Sequence, residues 1–165
     1  MKYKAVFLSM RLPFLILTPV CILLGASLVI ASHQKLDSLS LSLALIGALL
    51  AHISVNTLNE YFDFKSGLDL LTKRTDFSGG SGGLPQQPEL SSLVLLVGVI
   101  SLLLIILIGA YFYWRYGVEI LPIGIIGVLI VVTYTQWINK SPFLCLIAPG
   151  FAFGFLMVLG TQFVL

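Results

Sequence analysis

Residues 90–114 read LSSLVLLVGVISLLLIILIGAYFYW, 25 positions without one acidic or basic side chain. A helix of about 20 such residues spans the roughly 30 Å hydrocarbon core of a bilayer. The run is continuous rather than alternating, so it does not fit the staves of a membrane barrel, which alternate over about 10 residues. It predicts a transmembrane helix, and the rest of the chain follows the same pattern. Further apolar stretches cover residues 13–31, 39–62, 118–134 and 144–165, the last reaching the end of the sequence. Hydrophobic residues make up 58% of the 165 positions, charged residues only 10%, and the mean hydropathy is +1.06, which no soluble core of this size requires. The expectation is one all-α domain, a polytopic transmembrane bundle of about five helices with a long loop at residues 63–89.

The first stretch follows Lys2, Lys4 and Arg11 as a signal peptide would, but it is longer than a typical signal core and lacks a small-residue cleavage site before His33. It reads as a retained span. Cys21 and Cys145 lie in or beside apolar runs at no metal-ligand spacing and read as small hydrophobes. With the N-terminus in the cytoplasm, Lys2, Lys4, Arg11, Lys65, Lys73, Arg74 and Lys140 fall inside and only Lys35 and Arg115 outside, seven against two. The predicted location is therefore the cell (inner) membrane, multi-pass, N-terminus cytoplasmic. A net charge of +2 gives no reason to expect a nucleic-acid partner.

The second stretch carries chemistry. His52, Asn56, Asn59 and Asp63 are spaced 4, 3 and 4 apart, which at 100° per residue puts them within an arc of about 60° on one helix face. Glu60 lies at the edge of that stripe. Ionisable groups at membrane depth usually face a bundle interior or a water-filled cavity, so the stripe is a candidate site; interhelical hydrogen bonding is the plainer alternative, above all for His52. Oxygen ligands from Asn59, Glu60, Asp63 and Asp69 suit a hard cation such as Mg²⁺, which takes one or two carboxylates, waters and substrate phosphates. The loop that follows carries Lys65, Lys73 and Arg74, then Gly79, Gly80, Ser81, Gly82 and Gly83. Basic side chains beside an acidic cation site complement a diphosphate. The glycines either let backbone N–H groups approach that anion or form a plain linker.

The segment from Asn56 through Asn59, Glu60, Asp63 and Gly67 to Asp69 resembles the first aspartate-rich motif of the UbiA superfamily of intramembrane prenyltransferases. Glu60 stands where that family usually has aspartate. The spacing Asp63–Gly67–Asp69 and the later Gly-Gly-Ser-Gly are more similar to the menaquinone-type branch, which prenylates 1,4-dihydroxy-2-naphthoate, as are Arg11-Leu12-Pro13-Phe14 and the stretch from Ala148-Pro149-Gly150 through Gly154 to Gly160-Thr161. The resemblance implies transfer of a polyprenyl group from its diphosphate to an aromatic acceptor in quinone biosynthesis, with Mg²⁺ as cofactor. It assigns catalysis to Asp63, Asn59 and Asp69, the metal to these three with Asn56 and Glu60, and the diphosphate to Lys65, Lys73, Arg74 and Lys140. Tyr61 and Tyr134 could favour an allylic cation through their π faces, or be interfacial belt residues. The family's second aspartate-rich motif has no counterpart, because no aspartate follows Asp76. The chain thus reads as the N-terminal part of such an enzyme, inactive alone, with a complementary C-terminal half as a possible partner beside the lipid bilayer. A small proton or cation transporter using the stripe, and a noncatalytic interaction subunit, are the other readings. Gly150 and Gly154, a GxxxG pair, suit close packing, more readily within this chain than against another.

Overall fold

The computed structural model describes residues 2–71, 75 and 80–165. Among these there is no strand, and the chain is an all-α helix bundle. Hydrocarbon offers no partner to a backbone N–H or C=O, so apolar segments long enough to cross it satisfy those groups within helices. A short helix, α1 (Lys4–Ser9), precedes α2 (Leu17–Ala31), which is entered through a 3₁₀ turn at Leu12–Ile16. Next come α3 (Ser38–Lys65), the short α4 (Leu68–Leu71) and α5 (Gly83–Gln86), and α6 (Ser91–Tyr116). The chain closes with α7 (Leu121–Thr133), α8 (Pro142–Gly150) and α9 (Val158–Val164).

Four stretches have the length and hydropathy to cross a membrane: Leu12–Ala31, Ser38–Lys65, Pro88–Thr133 and Pro142–Val164. The third is 46 residues long and reverses at Gly117, whose φ of +78° and ψ of −161° only glycine adopts without strain. Its two halves, α6 and α7, run in opposite directions, so among the described residues this stretch passes between the two ends of the bundle twice.

At one end, Tyr116 ties three helices together: its hydroxyl donates to the Val164 carbonyl at 2.7 Å and lies 3.0 Å from the Ser40 hydroxyl. Asp37 caps α3 there, accepting from the Leu39 amide, the Ser40 hydroxyl and the Arg115 guanidinium, the last at 2.7 Å. These bonds hold the Asp37 carboxyl below the ordinary carboxylate range, the Ser40 hydroxyl most of all. At the other end, α1 and α5 meet the start of α6, burying Ala5, Val6, Leu84 and Val94 in one apolar cluster. Between the ends α3 lies against α6, and the contact is close because position 98 is glycine: a Cβ there would come within 2.8 Å of the Thr57 hydroxyl and 2.9 Å of Leu58. The Ser54 hydroxyl donates to the Gly98 carbonyl at 2.9 Å.

The last crossing is irregular. Pro149 lies inside α8 and has no N–H to donate, and a π-helical stretch, Phe151–Met157, follows it before α9. Gly150 and Gly154 face open space, with nothing within 4 Å of an added Cβ. The expectation that this pair packs against another helix of the same chain is therefore not met among the described residues; close glycine contacts are found elsewhere, among them Gly98 against Thr57 and Leu58 and Gly25 against Val158 and Thr161.

Candidate functional site

A cavity of about 800 Å³ runs along the bundle between α2, α3, α7 and the last crossing. Its α3 wall extends from Gly47 to Asp63, which at 1.5 Å per residue is about 24 Å. His52, Asn56, Asn59 and Asp63 all line it, as one face of a straight helix must. Opposite them stand Ile123, Gly124, Gly127, Val128, Val131 and Tyr134 on and just after α7, and Ala152, Phe153, Leu156 and Met157 in the π-helical stretch. The polar side chains gather toward one end, and below His52 the α3 wall is apolar: Ala51, Ala48 and Gly47.

Asp63 holds the mouth. Its carboxylate accepts from the Asn59 amide at 2.7 Å, and its neighbourhood includes the charges of Arg11 and Lys140. Asn56 donates to the Met10 carbonyl at 3.1 Å, which fixes the chain entering α2 against α3. Gly67, with φ +79°, turns the chain after α3 and returns Asp69 to the cavity. Gly80 lies directly on the Asp69 carboxylate, so close that a Cβ would stand 2.6 Å from Oδ1. Oδ2 of Asp69 is buried and has no hydrogen-bond partner among the described residues. Burial first, then the negative charges of Glu60 and Asp63, push the Asp69 carboxyl up to about 6, against a weaker opposing pull from Arg11.

Glu60 is placed otherwise than the sequence led us to expect. Its side chain is fully buried and accepts from the Ser81 amide at 2.8 and 3.1 Å and from the Ser81 hydroxyl, with Arg11 Nη2 at 3.8 Å. It does not line the cavity. Two factors account for this: Glu60 sits at the edge of the stripe, and the returning loop supplies donors on that side. Glu60 therefore anchors the glycine loop to α3, and the donors of Ser81 are spent on a carboxylate of the protein itself.

Arg11 entered the sequence reading as a topological charge and as part of the Arg11-Leu12-Pro13-Phe14 likeness, with no role at the site, yet it lines the cavity. Its backbone is left-handed, φ 53°, a conformation that costs a non-glycine residue about 1–2 kcal/mol and is often found at functional sites. Its Nε is buried without a hydrogen-bond partner among the described residues. The available signal was its position as the last charge before the first apolar run, two residues ahead of Pro13. Of the other expected diphosphate residues, Lys65 is exposed with Nζ 5.7 Å over the Tyr61 ring, and Lys140 is exposed near the mouth. Lys73 and Arg74, like Gly79, lie outside the described residues. Tyr134 lines the cavity, whereas Tyr61 packs against the cluster around Ala5 and Leu84.

For a metal, the donors converging on the mouth are Asp63, Asp69 and Asn59, with Asn56 a turn deeper. Among the described residues no group of three or more histidines, cysteines, aspartates or glutamates is arranged to hold an ion. Two carboxylates, one of them Asp69 with a buried unsatisfied oxygen, and an amide oxygen fit the sparse protein ligation of Mg²⁺, which keeps waters and takes phosphate oxygens from its ligand.

Residues 18–164 match the UbiA prenyltransferase family. A "UbiA prenyltransferase domain-containing protein 1" from Dictyostelium discoideum is 24% identical over 139 residues, covering 81% of this chain and 41% of that protein. The chain thus spans less than half the length of that relative. No solved structure matches it. With a family match covering nearly the whole sequence, this multi-pass membrane protein belongs to the UbiA prenyltransferase family.

Proposed function

We propose that the cavity binds a polyprenyl diphosphate and serves transfer of its prenyl group to an aromatic acceptor. One observation carries this reading: a single trough is acidic and amide-rich at one end and apolar for the rest of its length, the shape and polarity of a ligand with an anionic head and a long hydrocarbon tail. Its volume lies within the range of small-molecule sites, roughly 300–1,000 Å³. In this reading Asp63, Asp69 and Asn59 hold Mg²⁺, which when bound supplies the positive charge that stabilises a departing diphosphate. Arg11 and Lys140 add fixed positive charge at the mouth, and Lys65, Lys73 and Arg74 are further candidates for the diphosphate oxygens. Asn56 holds the Arg11 segment in place, and Glu60 holds the loop. The apolar walls exclude water from the allylic carbon, which protects a developing cation from hydrolysis.

The acceptor we favour is of the 1,4-dihydroxy-2-naphthoate type, as in quinone biosynthesis; the support is the likeness of residues 56–69 and of the glycine loop to that branch. The acidic end is proposed to face the cytoplasm, in keeping with the seven-to-two distribution of basic residues. The reading is tested at the level of binding. A transporter is less well supported, because the polar lining of α3 ends at His52. The test is binding of geranylgeranyl diphosphate to the chain in lipid nanodiscs, with and without Mg²⁺. The expected outcome is saturable, Mg²⁺-dependent binding that Asp63→Ala weakens at least tenfold. Equal binding with and without the metal, or by the variant, would overturn it.

A further inference from the structure

The trough has a polar station well below the acidic mouth. His52 lies 11 residues before Asp63 on α3, about 16 Å along the axis. Its side chain is 7% exposed, and Nδ1 is fixed at 2.9 Å from the hydroxyl of Thr18, which is fully buried on α2. Phe153 meets the imidazole edge-on, with ring centroids 4.9 Å apart. The other ring nitrogen, Nε2, has no hydrogen-bond partner among the described residues, and the residue lines the cavity. Interhelical hydrogen bonding explains Nδ1; it leaves the second nitrogen open to the cavity, where a ligand can meet it.

The missing partner can be specified chemically. If the Thr18 hydroxyl donates to Nδ1, Nε2 carries the proton and donates; if Nδ1 donates to Thr18, Nε2 accepts. A hydroxyl group both donates and accepts, and so satisfies either tautomer. There is also room for a ring beside the imidazole. Gly124 and Gly127 lie ten and seven residues before Tyr134, which stands at the mouth, and so come roughly level with His52 and Asn56. A Cβ on either glycine would meet nothing within 4 Å. A diphosphate and its cation would fill the turns from Asp63 toward Asn56, bringing the allylic carbon down to this level.

We propose that His52 Nε2 hydrogen-bonds the hydroxyl of the aromatic acceptor, and that Thr18 is the positioning residue that fixes the imidazole for it. This rests on the prenyl-transfer reading for the acceptor's role, but the hydroxyl-binding site itself can be tested separately. The chain in nanodiscs is titrated with 1-naphthol and with 1-methoxynaphthalene, which differ in the hydroxyl, each corrected for partition into empty nanodiscs. Geranylgeranyl diphosphate with Mg²⁺ is titrated in parallel. The expected result is a five- to tenfold preference for the naphthol, the scale of one neutral hydrogen bond made away from water. His52→Phe abolishes the preference while keeping the ether bound, His52→Gln restores part of it, and Thr18→Val reduces it at least twofold. A wild-type chain without the preference, or a His52→Phe chain that retains it, overturns the proposal. If His52→Phe does not insert, an unchanged preference in Thr18→Val overturns it equally. Loss of prenyl diphosphate binding with the naphthol preference intact would sink the prenyl-transfer reading and leave the hydroxyl site standing.

Discussion

Asp63 and Asp69 are six residues apart and reach the same mouth, yet their surroundings give them different roles. Asp63 is held by Asn59, whereas Asp69 is crowded by Gly80 and left with one unsatisfied oxygen. In the metal-free protein Asp69 therefore keeps its proton up to about pH 6, above its ordinary value of 3.8. The folded state then binds more protons than the unfolded state between those two values, so stability falls as pH rises through that window and stays lower at neutral pH. Asp69→Asn is expected to stabilise the metal-free protein at pH 7 by on the order of 1 kcal/mol, after allowing for partial solvent screening, and to have little effect below about pH 3, where the carboxyl is protonated in both states. Thermal melts of both proteins at the two pH values check this. The same substitution is expected to weaken Mg²⁺-dependent diphosphate binding about tenfold, since it removes a charged ligand. The face formed by His52, Asn56, Asn59 and Asp63 was legible in the sequence because helical geometry alone places those residues together. The orientation of Glu60 was not, because its partner Ser81 lies 21 residues further along and returns to it only through the fold of the loop.

At the scale of elements, α3 and α6 pack closely, and the small residue at 98 allows it. Apolar surface contributes little to association within lipid, so close packing and hydrogen bonds carry the contact. Gly98→Val is expected to cost about 1–3 kcal/mol by forcing the helices apart. Ser54→Ala, which loses one interhelical hydrogen bond, is expected to cost only about 0.6 kcal/mol. Denaturant titration in mixed micelles would rank the two; a Ser54 effect larger than the Gly98 effect would contradict the packing account. The loop anchor makes a separate prediction. Glu60→Ala leaves the Ser81 donors unsatisfied, and limited proteolysis should then cut between residues 66 and 82 at least several-fold faster, with the membrane crossings intact. Helix identity in the crossings was readable from hydropathy. The breaks inside them were less so: Pro149 announces an irregularity, but nothing in a run of apolar letters specifies the length of the π-helical stretch that follows it.

For the whole molecule, the reversal at Gly117 places Glu119 at the end opposite Lys140. In a chain freed of Cys21 and Cys145, single cysteines at positions 119 and 140 are expected to react with a membrane-impermeant maleimide from opposite sides of sealed vesicles. Labelling from the same side would refute the reversal at Gly117. The reversal also bears on how the protein is made. Were the 46 residues of Pro88–Thr133 one uninterrupted helix, it would be about 69 Å long, more than twice the hydrocarbon thickness. The turn at Gly117 is what divides this stretch into two crossings, α6 and α7, and it rests on a backbone torsion that a side chain strains. Gly117→Val, remote from every residue of the acidic mouth, should act as a biogenesis mutation: the message is translated, but the product is recovered as a substrate of membrane quality control.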